Sequence, residues 1–210
     1  NPTNITKFNV PSINLDANIA TKFQLFDPEK PIKHQVYLEI GSVVSLSQSW
    51  RLIGSYSIDI NNNFDLIRGP NSALAHVRTD INRYLVEGNS GIESLYLEKK
   101  STLKDKVHYR LYLGILETMY SGLGLEVLYQ PFMSRIAFGG TISYLNKRGY
   151  KRDFELLDYK TATGFLSIYY ASPFYNYDLA LHIGKYLAKD KGATFEVRRT
   201  FDNGFAVGAF

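Results

Sequence analysis

The chain has 210 residues, 45% of them hydrophobic, and a net charge of +4 from 24 basic and 20 acidic side chains. Such apolar content excludes disorder, and the length fits one large all-β domain or a piece of something larger. The lack of cysteine excludes disulfides and cysteine metal sites, and the dispersed basic residues form no stripe or motif for nucleic acid.

Residues 1–34 are punctuated by Pro2, Pro11, Pro28 and Pro31 and read as an irregular lead-in. From there the chain reads as strands. Residues 35–46 and 50–60 form a first hairpin. In the second strand Trp50, Leu52, Tyr56, Ile58 and Ile60 share one face, and Arg51, Ser55, Ser57 and Asp59 share the other. The stretch 73–86 fits a helical face through Leu74, Val77, Ile81 and Leu85, and also a strand face broken by Arg83. Its neighbours are strands, so a strand is expected. Gly88-Asn89-Ser90-Gly91 is a turn.

Further strands are expected at 92–99, 107–118, 122–130, 135–145, 162–171, 176–187, 193–201 and 205–210. The connections are short and carry Gly, Pro, Asn, Asp or Ser. Asn203-Gly204 is the clearest hairpin turn, because a type I′ turn needs φ > 0 at both central residues. The expected architecture is an all-β antiparallel meander of about ten or eleven strands, with residues 35–210 as one β-barrel domain.

Alternation alone does not say which face is wet. In 176–187, Leu179, Leu181 and Ile183 oppose Asp178 and His182. In 193–201, Phe195 and Val197 oppose Thr194, Glu196 and Arg198. A sandwich buries the apolar face, whereas a membrane barrel turns it to lipid. Two features favour the barrel. Aromatic residues such as Tyr129, Phe132, Tyr169, Tyr170 and Phe174 cluster near strand ends, as in interfacial girdles. Several strands also reach the length that crosses a bilayer when tilted. No run of about 18 apolar residues offers a transmembrane helix.

Catalytic signals are sparse. Glu117 and Glu126 flank a turn and could approach each other as a glycosidase pair would, but no pattern of sugar subsites accompanies them. His34, His76, His108 and His182 have no metal-ligand spacing. Ser121 lacks a nucleophile elbow. Arg198-Arg199, with Lys185, Lys189 and Lys191, could meet an anionic glycan or lipid headgroups, or be ordinary charge at strand ends.

Three segments carry a resemblance. They are Leu116-Glu117-Thr118-Met119-Tyr120-Ser121-Gly122-Leu123-Gly124-Leu125-Glu126-Val127-Leu128-Tyr129-Gln130-Pro131, then Asp158-Tyr159-Lys160-Thr161-Ala162-Thr163-Gly164, then Gly184 to Phe210 with its Gly192-Ala193-Thr194 and Asn203-Gly204. Leu25-Phe26-Asp27-Pro28 and His76-Val77-Arg78-Thr79-Asp80 add to them. Together they resemble the YjbH family (which includes the GfcD type) of outer-membrane proteins associated with exopolysaccharide and capsule export. Its members are longer and usually begin as lipoproteins, so the resemblance implies that this chain is a fragment.

It also implies a transmembrane β-barrel, or a large part of one, in the bacterial outer membrane. The barrel would assist polysaccharide secretion through a passive polar lumen, without enzymatic chemistry or a cofactor. Expected partners are outer-membrane lipid, the polysaccharide and other export proteins. Candidate lumen or glycan contacts are Glu126, Thr141, Asp178, His182, Glu196 and Arg198. The alternative is a soluble glycan-binding or scaffolding β-domain of an export complex.

Overall fold

The computed structural model describes residues 10–25, 31–65 and 77–210. They form eleven strands: β1 (Ser12–Leu25), β2 (Ile32–Ser45), β3 (Trp50–Asn62), β4 (Gly91–Leu103), β5 (Val107–Ile115), β6 (Tyr120–Tyr129), β7 (Ile136–Arg148), β8 (Leu156–Ala171), β9 (Tyr177–Lys185), β10 (Lys191–Thr200) and β11 (Ala206–Ala209). One short helix, α1 (Ile81–Val86), lies between β3 and β4. The strands pair strictly in chain order, so the sheet is the expected antiparallel meander. β1 and β11 are its two edges, and the described strands do not close into a barrel.

Two expectations are corrected. Residues 12–25, expected to be irregular, form a 14-residue strand paired with β2 from Ser12↔Ser45 to Leu25↔Ile32. The alternation of Ile13, Leu15, Ala17 and Ile19 with Asn14, Asp16 and Asn18 is a period-two signal that the flanking prolines obscured. The strand expected within 73–86 is instead a turn at 77–80 followed by α1. Here the helical spacing of Ile81 and Leu85 was the better guide, and residues 73–76 lie outside the described residues.

The chain divides into two compact units. The first comprises 1–99, 113–121 and 146–158, and the second 100–112, 122–145 and 159–210. Both distribute polarity against the usual rule. In the first unit Ile19 is 73% exposed and Ile58 and Ile60 are also exposed, while Lys33, Gln35, Ser57 and Glu98 are buried. In the second, Leu166 is 75% exposed and Ile142, Ile183 and Phe195 are exposed, while Ser143, Thr161, Thr163 and Ser167 are buried. Charged and hydroxylic side chains are seldom buried without partners. The described strands thus cover part of their Ser, Thr and charged residues while leaving many Leu, Ile and Phe side chains exposed. Among the described residues the buried apolar side chains are few: Tyr37, Phe64, Tyr84, Ile115, Met119, Tyr120 and Leu145.

Glycines sit where strands approach too closely for a side chain. A Cβ on Gly184 would lie 2.0 Å from the Gly164 carbonyl oxygen. One on Gly88 would lie 2.3 Å from the Tyr150 carbonyl oxygen, which explains the glycine that opens the turn before β4.

Candidate functional site

The polar face carries two groups of side chains, one in each unit. In the first unit the segment after β7 turns back across the polar face. Arg148 ends β7 and is fully buried. Its Nη1 donates to the carbonyl oxygens of Ile92, Glu117 and Thr118 at 3.0, 2.9 and 3.0 Å, and its Nη2 to that of Asp153 at 3.0 Å. One guanidinium thus ties the start of β4, the β5–β6 turn and the loop after β7. The planar fork of arginine suits this convergence, where a lysine would satisfy fewer carbonyls.

Around it lie two ion-paired clusters. Glu93 accepts from Arg152 at 2.6 Å, Lys22 at 2.5 Å and Thr118 at 2.6 Å, and Arg152 also donates to Ser57 at 2.9 Å. Asp80 accepts from Lys147 at 2.6 Å and from the Tyr150 hydroxyl at 3.1 Å. The α1 segment is fastened to the same region. Tyr84 donates to the Arg148 carbonyl at 2.6 Å, Tyr120 donates to the Val77 carbonyl at 2.8 Å, and Arg83 lies 3.7 Å over the Tyr150 ring. Burial, with Asp80 nearby, pushes the Tyr84 hydroxyl far above its ordinary pKa, and the same causes raise Tyr150. Nearly every charge here is opposed, which is what makes its burial tolerable.

In the second unit the polar face forms an open trough. One cavity of about 770 Å³ is walled by Lys100, His108, Arg110, Glu126, Thr141 and Tyr169, among others. A second, of about 340 Å³, is walled by Arg135, Tyr169, Asp178, Glu196 and Arg198, among others. Gln130, Ala137 and Tyr169 belong to both.

Five of the six candidate residues wall these cavities. Glu126 and Thr141 share the larger cavity, with Arg110 3.5 Å from Glu126. Asp178, Glu196 and Arg198 share the smaller one, and Asp178 stands opposite Arg198 in the β9–β10 register. His182 lines neither. Its Nδ1 lies 2.7 Å from the Ser167 hydroxyl and its Nε2 3.8 Å from Glu196. Its neighbours are thus Ser167 and Glu196, while Asp178, on the same strand, stands opposite Arg198. Glu117, considered with Glu126 as a carboxylate pair, is held by both terminal nitrogens of Arg78 at 2.8 and 3.2 Å. Each of the two carboxylates has its own guanidinium. Among the described residues no helix is long and apolar enough to cross a membrane.

The family model described as "Exopolysaccharide biosynthesis protein YbjH", named YjbH, matches residues 2–210. The chain belongs to the YjbH family. A curated relative from Escherichia coli (strain K12), named "Uncharacterized lipoprotein YjbH", is 34% identical over 166 residues, covering 75% of this chain and 24% of the relative. The chain thus spans about a quarter of the length of that relative. No solved structure matches it.

Within this YjbH-family chain, sequence reasoning missed the buried cluster of the first unit. Its signal was present in Lys147-Arg148-Gly149-Tyr150-Lys151-Arg152, a basic run after an alternating strand, and in Asp80 within His76-Val77-Arg78-Thr79-Asp80. Such runs normally mark a solvated turn, so nothing in the sequence distinguished this one as buried.

Proposed function

We propose that this chain is part of an outer-membrane β-barrel that assists exopolysaccharide or capsule secretion. Its apolar face would meet lipid, and its polar face would line a passive lumen. The observation that carries the reading is the reversal of polarity across the sheet: Leu166 and Ile183 lie open while Thr161, Thr163 and Ser167 are covered. In water that arrangement gains nothing from the hydrophobic effect, whereas in a bilayer it is the stable one. Strands of 13 to 16 residues, such as β3, β7 and β8, exceed the ~9–11 residues needed to cross.

An unpaired strand edge is untenable in lipid, so β1 and β11 would be satisfied by further strands of the longer protein. The lumen candidates Glu126, Thr141, Asp178, His182, Glu196 and Arg198 would offer exchangeable hydrogen bonds to sugar hydroxyls. Conduction demands contacts weak enough to release the chain. No bond of the glycan is made or broken.

The test is swelling of liposomes that contain the full-length protein, in isotonic oligosaccharide. Swelling that depends on the protein and on sugar length supports the reading, and impermeability to every oligosaccharide that fits a lumen of this polarity refutes it. The two open edges, together with the lipoprotein name of the relative, favour a second reading. In it, a lipid-tethered β-domain binds glycan or scaffolds an export complex. A full-length protein that stays monodisperse in detergent-free buffer supports this second reading.

A further inference from the structure

We infer that Tyr169 is a stacking platform for one pyranose ring of a polysaccharide chain, an inference that rests on the polysaccharide-passage reading above. Tyr169 is the one aromatic side chain that walls both cavities of the second unit, so it stands where the two parts of the trough meet. Space is made for it by Gly139, where a Cβ would come 3.0 Å from Tyr169 Cε2 and 3.4 Å from its hydroxyl oxygen. A residue larger than glycine at that point would press on the ring. The His182 ring meets it edge to face, with centroids 5.6 Å apart and planes at 73°, and Tyr169 remains 37% exposed. His182 is itself steadied by Ser167 at 2.7 Å. The ring is therefore packed against two neighbours before any ligand arrives, which reduces the ordering cost of binding.

The hydroxyl distinguishes Tyr169 from the tyrosines around it. Tyr112 meets Ser143 at 2.7 Å, Tyr159 donates to the Leu187 carbonyl at 2.6 Å, and Tyr186 bonds Thr194. Among the described residues the Tyr169 hydroxyl has no such partner, although it lies on a polar wall. A polar tip on a rigid apolar ring is the combination a sugar uses: its C–H face packs on the ring while its hydroxyls take hydrogen bonds at the margin. Gln130, Glu126 and Thr141 wall the larger cavity beside it and supply those bonds. The larger cavity, at about 770 Å³, is within the range of ligand pockets and remains open, as a site for an internal stretch of a chain must be.

The experiment uses the full-length protein in detergent, titrated with maltohexaose and with a galacturonate hexamer, and read by saturation-transfer NMR. Tyr169→Phe keeps the ring and should bind within about twofold of the parent. Tyr169→Ala should weaken binding by about threefold to tenfold, the range expected of one aromatic contact. Tyr144→Ala, on the opposite face, serves as the control and should bind as the parent does. Heat-modifiable migration on gels verifies that each variant is folded. Parent-like binding by folded Tyr169→Ala overturns the inference. If that parent-like binding is accompanied by parent-like swelling of liposomes, the inference fails and the passage reading survives. If neither hexamer binds nor passes with the parent protein, both fail.

Discussion

Replacing Leu166 by arginine separates a lipid-facing sheet from a water-facing one. Leu166 lies on the apolar face of β8, which runs for 16 residues from Leu156 to Ala171. A strand tilted by ~40° climbs about 2.5 Å per residue along the membrane normal. Leu166 is then roughly 6 Å from the middle of the strand, well inside an apolar band ~25 Å tall. An arginine near the midplane of a barrel costs about 2–4 kcal/mol, and this offset places Leu166→Arg near the lower end, about 2 kcal/mol. In water the same site is 75% exposed, and a surface substitution changes stability by no more than ~0.5 kcal/mol. Tyr170→Arg is the depth control. It lies roughly 16 Å from the middle, outside the band, and should cost at most about 1 kcal/mol. The assay is urea unfolding of the full-length protein from lipid vesicles, with the folded fraction read by heat-modifiable gel migration. A Leu166→Arg variant within 0.5 kcal/mol of the parent, on the order of a surface change, would refute the lipid-facing assignment.

Three further outcomes follow from the first unit and the sheet. Arg148→Met should destabilise the folded state by about 3–5 kcal/mol, because it leaves four carbonyl oxygens without their donor in a fully buried site; a loss under about 1 kcal/mol on urea titration would mean that water replaces the guanidinium freely. Tyr84 has its pKa raised by burial and by Asp80. Its contribution is therefore complete below its unfolded value of about 10 and declines as pH climbs through the folded value. Tyr84→Phe should flatten that part of the alkaline unfolding curve while costing about 1 kcal/mol at pH 8, and an unchanged curve would remove Tyr84 as its source. Gly184→Val must collide with the Gly164 carbonyl oxygen, so it should lower stability by more than about 2 kcal/mol and yield mostly unfolded protein on outer-membrane expression.

How much of this was legible from the residues depends on which physical signal each element carries. The meander from β2 to β11 was readable because apolar residues fall at every second position and Gly204 takes φ +85° in the β10–β11 turn, although Asn203 lacks the positive φ of the expected type I′ turn. β1 was lost because proline punctuation was weighed above the alternation of Ile13, Leu15 and Ile19. α1 was misread because six residues hold too few turns for a helical period to outvote strand-rich neighbours. Alternation separates the two faces of β9 and β10, yet which face is covered is a property of the medium and the tertiary structure, and local pattern does not encode it. The Arg148 and Glu93 clusters were invisible for a related reason. Their partners come from segments far apart in the chain, such as Lys22, Ser57, Glu93 and Arg152, and only the fold brings them together. Tyr169 was noted only as one aromatic near a strand end. Its distinction depends on Gly139 and His182 as neighbours and on an unbonded hydroxyl, none of which a sequence states.

The central claim is that the apolar face of this sheet meets lipid and the polar face does not. The most direct measurement places a nitroxide label, one residue at a time, at positions 165 to 170 of β8 in the full-length protein in vesicles. Collision with oxygen, which concentrates in lipid, is then compared with collision with a water-soluble nickel chelate. The account predicts a period-two pattern, with oxygen favoured at 166 and 168 and suppressed at 165 and 167. Water-dominated collisions at 166 and 168, or a pattern in the opposite phase, would contradict it.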